Sequence, residues 1–306
     1  MEYDGHMAFI IAAVIIAVYL WSACLIFYRE EAKPLVSDES KCFDPACRSI
    51  VIKQGSDKAV LMIHGFPTTP AMYTYASERM KAEGYDVYAP LIPSFGTDWH
   101  DFIKTDFSSW YGWIEDFYLA LEKEYSRVCI IGTSMGGAMA LKIAEHHKPA
   151  AVVTIGAPVV YNSLFRDRIV TQWISYLGRI IGLFTPAISP CIITERPDSD
   201  DGNEEWKGYG GSYPRQGVSL IWNLRPIRRD LGLIRAPLLS IHDRGDRTVP
   251  FANQKIIRRE TKTEARFIET CMGPECHHTH HALLMYRSIQ GELMDRIAAF
   301  FSSCSI

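Results

Sequence analysis

One serine of this chain has the local sequence of a catalytic nucleophile. The stretch "IIGTSMGG" places Ser134 between Gly132 and Gly136, in the pattern G-x-S-x-G. The residues before it favour a strand and those after it a helix, so we expect the serine in a sharp strand–turn–helix connection. Side chains at the two glycines would collide with the neighbouring strand and helix. Such a turn exposes the hydroxyl at a helix N-terminus, where the helix dipole favours developing negative charge.

A serine hydroxyl is a weak nucleophile, so it needs a base and an acid that orients the base. In strand–turn–helix sites of this kind, the order along the chain is serine, acid and histidine. After Ser134, the stretch "PLLSIHDRGDRTVP" offers Asp243 at the end of a predicted strand and Asp246 on the following loop. We favour Asp246 as the acid. Alternatively, either carboxylate is a turn residue that caps a helix starting near Pro250.

The base is expected in the stretch "CMGPECHHTHH", residues 271–281, which follows another predicted strand. This loop must reach back over the sheet to the serine, and only one imidazole can occupy that position. The residues alone leave three candidates for the base, which are His278, His280 and His281.

Cysteines in the same stretch raise two further alternatives. Cys271 and Cys276, with His277 and one more ligand, have the residue types of a zinc site. In an oxidising compartment, the same two cysteines could close a disulfide loop, as could Cys42 and Cys47. We predict no metal and no cofactor, because the loop must leave one histidine free for catalysis.

Two backbone N–H groups must face the oxygen that becomes negative during acyl transfer. One is expected from Met135, directly after the serine. The other is expected from Phe66, in the loop after the predicted strand "AVLMIHG". His64 precedes the serine in the chain, so we expect it to shape this loop by hydrogen bonding rather than to act as the base.

Short apolar runs alternate with helical stretches of about 10 to 15 residues from residue 48 onward, which is typical of a parallel sheet covered on both faces. The predicted strands are "SIVIKQ", "AVLMIHG", "YDVYAPL", "RVCIIG", "AVVTIGAPVV", "PLLSIHD" and "EARFIET". The alternation stops near Tyr161 and returns at Pro237. The segment between, about residues 160–236, is predicted to be an insertion on top of the sheet.

The N-terminal stretch Met7–Tyr28 runs for 22 residues without an ionised side chain. A helix needs about 20 apolar residues to cross a membrane, so we expect residues 1–28 to be a single-pass transmembrane anchor. Residues 29–47 are then a polar linker, and residues 48–306 form the catalytic domain. Lysines and arginines follow the anchor and none precedes it, which favours a domain on the cytoplasmic side.

Composition and net charge argue against a disordered protein and against a protein that binds nucleic acid. The chain of 306 residues is 48% apolar and 22% charged, as in globular proteins, and it is long enough for one large domain or two small ones. A net charge of −3 gives no reason to expect a nucleic-acid partner.

Taken together, these features resemble the α/β-hydrolase superfamily, and within it the carboxylesterases and monoacylglycerol lipases. The resemblance covers about residues 50–303 and is carried by "HGFPTTPAMYTYASERMKAEGYDVYAP", "GTSMGG", "LIRAPLLSIHDRGDRTVP" and a late histidine. It implies an α/β fold with a mostly parallel eight-stranded sheet, helices on both faces and a helical cap after the sixth strand. It also implies roles for five residues, namely Ser134 as nucleophile, Asp246 as acid, a late histidine as base, and Phe66 and Met135 as oxyanion donors.

Some positions depart from the family pattern. Family members commonly have Gly-His-Gly where this chain has Ser94-Phe95-Gly96, and Asp243 stands where a glycine is frequent. The family's base follows a small residue and one spacer and precedes an apolar residue. Thr279-His280-His281-Ala282 fits this pattern best, so the resemblance favours His281.

The leading hypothesis from the sequence is a membrane-anchored serine hydrolase that cleaves small-molecule or lipid carboxylic esters through an acyl-enzyme. Two alternatives use the same fold. The first is an acyltransferase or serine peptidase with the same catalytic triad, and the second is a non-catalytic, membrane-tethered binding protein.

Overall fold

The computed structural model describes residues 2–27, 35, 38–161, 174–196, 200–273 and 275–304. The strands are β1 Ile50–Ile52, β2 Lys58–Ile63, β3 Asp86–Ala89, β4 Arg127–Thr133, β5 Ala151–Ile155, β6 Ile188–Ile193, β7 Gly208–Ser212, β8 Leu238–Asp243 and β9 Ala265–Thr270. The α-helices are α1 Glu2–Phe27, α2 Thr74–Ala82, α3 Trp99–Phe102, α4 Phe107–Glu124, α5 Met135–His146, α6 Ile174–Phe184, α7 Pro214–Asp230, α8 Ala252–Glu260 and α9 Gln290–Ser303.

The main sheet has the strand order β1-β3-β2-β4-β5-β8-β9. Strand β1 is antiparallel to β3, and all other neighbours are parallel. The predicted mostly parallel α/β sheet is therefore present, and each strand predicted from an apolar run occurs in it. The eighth strand, which the family resemblance implied, does not occur in the main sheet among the described residues.

The core lies on both faces of this sheet. In β2, Leu61 and Ile63 pack into one apolar cluster, whereas Val60 and Met62 pack into the cluster on the opposite face. All four are fully buried. Side chains alternate between the two faces of a strand, so a strand covered on both sides must be apolar at every position. Each such side chain contributes about 1.5–3 kcal/mol relative to an exposed one.

The carboxyl ends of the parallel strands lie at one edge of the sheet, and the loops that follow them meet there. Ser134 directly follows β4, and the loop of Phe66 follows β2. Asp246 and the stretch 271–281 follow β8 and β9. The topology therefore brings the predicted site residues to the same edge.

An insertion separates β5 from β8. It contains α6, the antiparallel pair β6–β7 and α7. The predicted cap, about residues 160–236, falls here, although residues 162–173 and 197–199 of it lie outside the described residues. A hairpin thus accompanies the helices that the sequence predicted. Glycines make this pairing close, since a Cβ on Gly210 would lie 2.5 Å from Cys191 Sγ.

The prediction for the N-terminus is wrong. Within the part of the chain that the structure describes, no helix combines the length and the apolar character needed to cross a membrane. The transmembrane anchor at residues 1–28, the single-pass membrane location and the cytoplasmic placement derived from it are therefore not supported. That prediction rested on a run of 22 residues without an ionised side chain, and a span requires sufficient length and hydropathy within one helix. Of the predicted linker, residues 29–34, 36 and 37 lie outside the described residues.

Candidate active site

Ser134 lies in the turn between β4 and α5, in a backbone conformation that residues other than glycine rarely adopt. Its φ is 57° and its ψ is −121°, and it is the N-cap of α5. A positive φ in a residue other than glycine stores strain that the surrounding structure must hold. Two backbone hydrogen bonds hold it here, because Ser134 N donates to Ile155 O at 2.8 Å and Ala138 N donates to Ser134 O at 3.1 Å.

The two glycines that flank the serine allow this close turn. A Cβ on Gly132 would overlap the backbone of Gly136, and a Cβ on Gly136 would overlap the carbonyl of Ile63 in β2. The helix α5 can therefore begin directly above the strand. The structure thus confirms the steric reason predicted for the two glycines, since a side chain at either position would overlap neighbouring backbone.

His281 and Asp246 form a close pair next to Gly156, the residue that directly follows β5. His281 Nδ1 is 2.7 Å from Asp246 Oδ2. Asp246 Oδ1 accepts hydrogen bonds from Thr248 N and Val249 N, each at 2.8 Å. On the other side of the imidazole, His281 Nε2 is buried and has no hydrogen-bond partner in the structure. With Nδ1 facing the carboxylate, Nε2 is the ring nitrogen left open to accept a proton.

The environment of Asp246 favours its ionised form. Its side chain is 1% exposed, and burial alone would raise the pKa of this carboxyl. The charge of His281, with hydrogen bonding by His242 and His281, outweighs burial and lowers the pKa of Asp246 well below its usual range. A carboxylate that stays ionised can hold the imidazole in one tautomer and stabilise its protonated form.

The other histidines of the loop lie elsewhere. His280 is buried, with Nδ1 3.4 Å from Asp243 Oδ1, and His278 is buried, with Nε2 3.4 Å from Asp201 Oδ2. His277 is exposed. Of the three candidates for the base, the structure brings only His281 to Asp246.

Asp243, the alternative acid, holds the loop together. Its Oδ1 accepts from Gly245 N at 2.7 Å, and its Oδ2 accepts from Thr270 Oγ1 at 2.7 Å and from Met272 N at 2.9 Å. These bonds join the end of β8 to the end of β9. Asp243 is thus a structural turn residue, although its partners are not those of a helix starting near Pro250, the role that the sequence left open for both aspartates.

The loop after β2 lies directly against the serine. A Cβ on Gly65 would be 3.1 Å from Ser134 Cβ. Phe66 follows this glycine and lines the same cavity as Ser134, and Met135 is the first residue of α5. The two residues predicted as oxyanion donors thus lie next to the serine, Phe66 in the lining of the shared cavity and Met135 along the chain.

His64 shapes this loop. It is fully buried, its Nδ1 lies 3.0 Å from Gly65 O, and its Nε2 accepts from Ile92 N at 3.2 Å. Burial lowers the pKa of His64 to about 4, so the ring stays neutral at physiological pH. Its contacts are those expected of a structural histidine and not of the base.

A cavity of about 260 Å³ opens beside Ser134. Its walls include Phe66 and Val249, and the insertion contributes Ile181 of α6 and Val218 and Leu224 of α7. Its lining is mostly apolar, as in many binding sites for small molecules.

Comparison with known proteins identifies the family of this chain. The sequence model of the alpha/beta hydrolase family matches residues 60–287, which is more than half of the chain. The chain belongs to the α/β hydrolase family. This confirms the family that the motifs around Ser134 and Asp246 indicated.

The relatives of this α/β hydrolase include lipases and esterases. It is 35% identical to a thermostable monoacylglycerol lipase of Bacillus sp. (strain H-257) over 101 residues, which are 33% of this chain and 40% of that lipase. It is 24% identical to a carboxylesterase of Bacillus subtilis (strain 168) over 213 residues, 69% of this chain and 81% of that esterase.

A solved structure of a metagenome-derived lipolytic enzyme, from a study of LipS and LipT, is similar in fold to this α/β hydrolase. It has a TM-score of 0.68 and 20% sequence identity, and the match covers 85% of this chain and 98% of that one. The relatives and neighbours are thus consistent with a hydrolase of the carboxylesterase and lipase type.

Two residues of this α/β hydrolase lie around His281, and the sequence singled out neither of them. Tyr286 Oη accepts hydrogen bonds from His281 N and Ala282 N, each at 3.1 Å, and its ring stacks on His278 at 3.6 Å. Gly156 directly follows β5, and a Cβ there would lie 2.9 Å from His281 Nδ1. A glycine directly after a predicted strand is a weak signal for Gly156. We find no sequence signal for Tyr286.

The cysteines of the α/β hydrolase do not form the disulfide loops that the sequence raised. Cys42, Cys47, Cys271 and Cys276 are all free thiols in the structure. Among the described residues, no group of three or more histidine, cysteine, aspartate or glutamate side chains has the arrangement of a metal site.

Proposed function

We propose that this α/β hydrolase cleaves carboxylic esters through an acyl-enzyme, with Ser134 as nucleophile, His281 as base and Asp246 as the orienting acid. The observation that carries the proposal is the 2.7 Å contact between His281 Nδ1 and Asp246 Oδ2, together with a buried, unpartnered Nε2 on the same ring. A base that is oriented on one side and free on the other is what a serine nucleophile requires.

In the first step, Ser134 Oγ attacks the ester carbonyl carbon while His281 Nε2 takes its proton. The imidazole becomes positively charged, and Nδ1–H continues to donate to Asp246. The tetrahedral intermediate then expels the alcohol, which receives the proton from Nε2. Water, activated by the same nitrogen, attacks the acyl-enzyme and releases the acid.

Stabilisation of the oxyanion is assigned to the backbone N–H groups of Phe66 and Met135. Met135 N belongs to the first turn of α5, where N–H groups have no partner within the helix. Loss of one such donor costs about 10²–10³-fold in kcat in serine hydrolases. The glycine next to Phe66 lets this loop approach the nucleophile.

The acyl group is proposed to lie in the apolar cavity between Ser134 and the helices α6 and α7, so that the insertion acts as a cap. The cavity volume of about 260 Å³ is just below the usual range for small-molecule sites, ~300–1,000 Å³. A substrate with a short or medium acyl chain fits this volume best. The relatives named monoacylglycerol lipase and carboxylesterase are compatible with such an ester.

The test is hydrolysis of p-nitrophenyl esters, together with labelling by a fluorophosphonate probe. Ser134→Ala should lower kcat by at least about 10³-fold, because the triad acts as a unit, and should abolish labelling. Ser77→Ala is the matched control, since Ser77 is buried and its Oγ lies 3.7 Å from Met62 Sδ. Undiminished hydrolysis by the Ser134 variant would disprove the proposal.

A further inference from the structure

His242 lies in β8, directly behind the acid of the candidate triad. Its side chain is 1% exposed. Its Nε2 is 2.9 Å from Val249 O and 3.2 Å from Asp246 Oδ2. Both atoms are hydrogen-bond acceptors, and the proposed mechanism above uses neither contact.

The contacts of His242 assign its tautomer. Val249 O can only accept a hydrogen bond, so Nε2 must carry a proton. Nδ1 is buried and has no partner, and a proton there would be an unsatisfied buried donor, which is costly. Nε2 therefore carries the N–H of the ring and donates it to Val249 O, and Asp246 Oδ2 lies 3.2 Å from the same nitrogen.

Four nitrogen atoms therefore surround the carboxylate of Asp246, and three of them are hydrogen-bonded to it. Thr248 N and Val249 N bind Oδ1, and the imidazoles of His281 and His242 face Oδ2. A carboxylate held in this way has one position and one orientation. Each donor also shares its negative charge, so that less of the charge is left to attract a proton onto His281.

We propose that His242 is a positioning residue, which holds Asp246 against His281 and sets the basicity of the catalytic imidazole. The proposal rests on the serine hydrolase mechanism described above. The groups around the Asp246 carboxylate are the His242 ring from β8, and the His281 ring and the Tyr286 hydroxyl from the loop before α9. The ring of Phe251, at the start of α8, packs against the ring of His242.

The experiment compares His242→Leu with His242→Gln in the full chain. Leucine removes the N–H, so kcat should fall by about 10²-fold while KM stays within about twofold, as expected when a catalytic group is misplaced. The acid limb of the pH profile of kcat/KM, which reports the free base, should move to higher pH. The side-chain amide of glutamine reaches the position of Nε2, so His242→Gln should restore both properties.

Two controls separate this role from a structural one. His147→Leu removes another imidazole–carboxylate contact, in which His147 Nε2 is 2.9 Å from Glu115 Oε1 on α4. It should leave kcat and the pH profile unchanged. His242→Asn supplies a polar side chain that is too short to reach Asp246, so it should be impaired where glutamine is active, even if His242→Leu does not fold.

The proposal is overturned if folded His242→Leu has the wild-type kcat and pH profile, or if the asparagine and glutamine variants behave alike. Labelling of wild-type Ser134 by a fluorophosphonate is measured first. If the probe does not react with the folded protein, the proposed function fails. If it reacts and the variants of His242 are all unaffected, only the role of His242 fails.

Discussion

Gly156 leaves the space that the imidazole of His281 occupies. A Cβ on Gly156 would lie 2.9 Å from His281 Nδ1 and 3.2 Å from Asp246 Oδ2. The φ of Gly156 is +56°, a left-handed conformation that glycine adopts without strain. One residue at the end of β5 therefore receives both the candidate base and its acid. The preceding carbonyl, Ile155 O, holds the backbone of Ser134.

Gly156→Ala should displace the His281 ring and lower kcat for p-nitrophenyl esters by about 10²-fold, because small misplacements of a catalytic group have effects of this size. The matched control is Gly55→Ala. Gly55 also has a positive φ, +81°, but a Cβ there meets no atom within 4 Å. Both variants should lose about 1–2 kcal/mol of stability through backbone strain in urea unfolding. Equal activity of the two variants would contradict this assignment.

Single alanine substitutions across the loop should separate its histidines. We expect His281→Ala to lose activity by at least about 10³-fold, and His277→Ala to resemble the wild type. His278→Ala and His280→Ala should lose thermal stability because both rings are buried, while kcat remains within about tenfold. If His280→Ala were inactive and His281→Ala active, the base would be His280 and not His281. If a chelator reproduced the loss, a metal would be involved.

The length of the acyl chain should be limited by α7. Each methylene that enters the apolar cavity should raise kcat/KM about fourfold, from about 0.8 kcal/mol per buried CH₂, until the cavity is filled. Gly217 lines this cavity, and a Cβ there meets nothing within 4 Å. Gly217→Leu should therefore move the optimum of a p-nitrophenyl ester series to shorter chains.

Gly112→Leu is the control for that series. Gly112 is also a helical glycine whose Cβ would meet nothing within 4 Å, but it lies in α4 and does not line the cavity. Both substitutions improve helix propensity by a similar amount. An unchanged chain-length profile in Gly217→Leu would place the acyl group elsewhere.

Stability should fall as the pH is lowered through the titration of His64. Burial lowers the pKa of His64 to about 4 in the folded protein, whereas the unfolded value is about 6.5. Between these values the unfolded state binds the extra proton, so stability is complete above about pH 6.5 and is lost as the pH falls towards 4. The loss should approach about 3 kcal/mol.

Urea unfolding between pH 8 and 4 measures this loss. His64→Asn cannot be protonated, so its free energy of unfolding should change less over the same range. Asp246 adds a loss in the same direction at lower pH, because its folded pKa lies below the unfolded one and its stabilisation disappears as it becomes protonated. If the free energy of unfolding of His64→Asn changed with pH as steeply as that of the wild type, the pH dependence would come from other groups.

The strands of the sheet were predictable because their signal is local. An apolar run such as "AVLMIHG" must be buried on both faces, and β2 is buried on both. The G-x-S-x-G turn is equally local, since its glycines are required by atoms within a few residues and by the adjacent strand. The N-terminal prediction failed because it counted missing charges in Met7–Tyr28, and in the described residues no helix meets the requirements of a span.

Sequence alone determined that the chain is an α/β hydrolase, and it limited the candidates for the base to three histidines in one loop. Only the tertiary structure decided which of them meets Asp246. His280 has a φ of 56°, and this left-handed turn sends neighbouring side chains in different directions. His280 faces Asp243, and His281 faces Asp246 and Gly156. Such contacts join segments that are distant in the chain, so no local pattern encodes them.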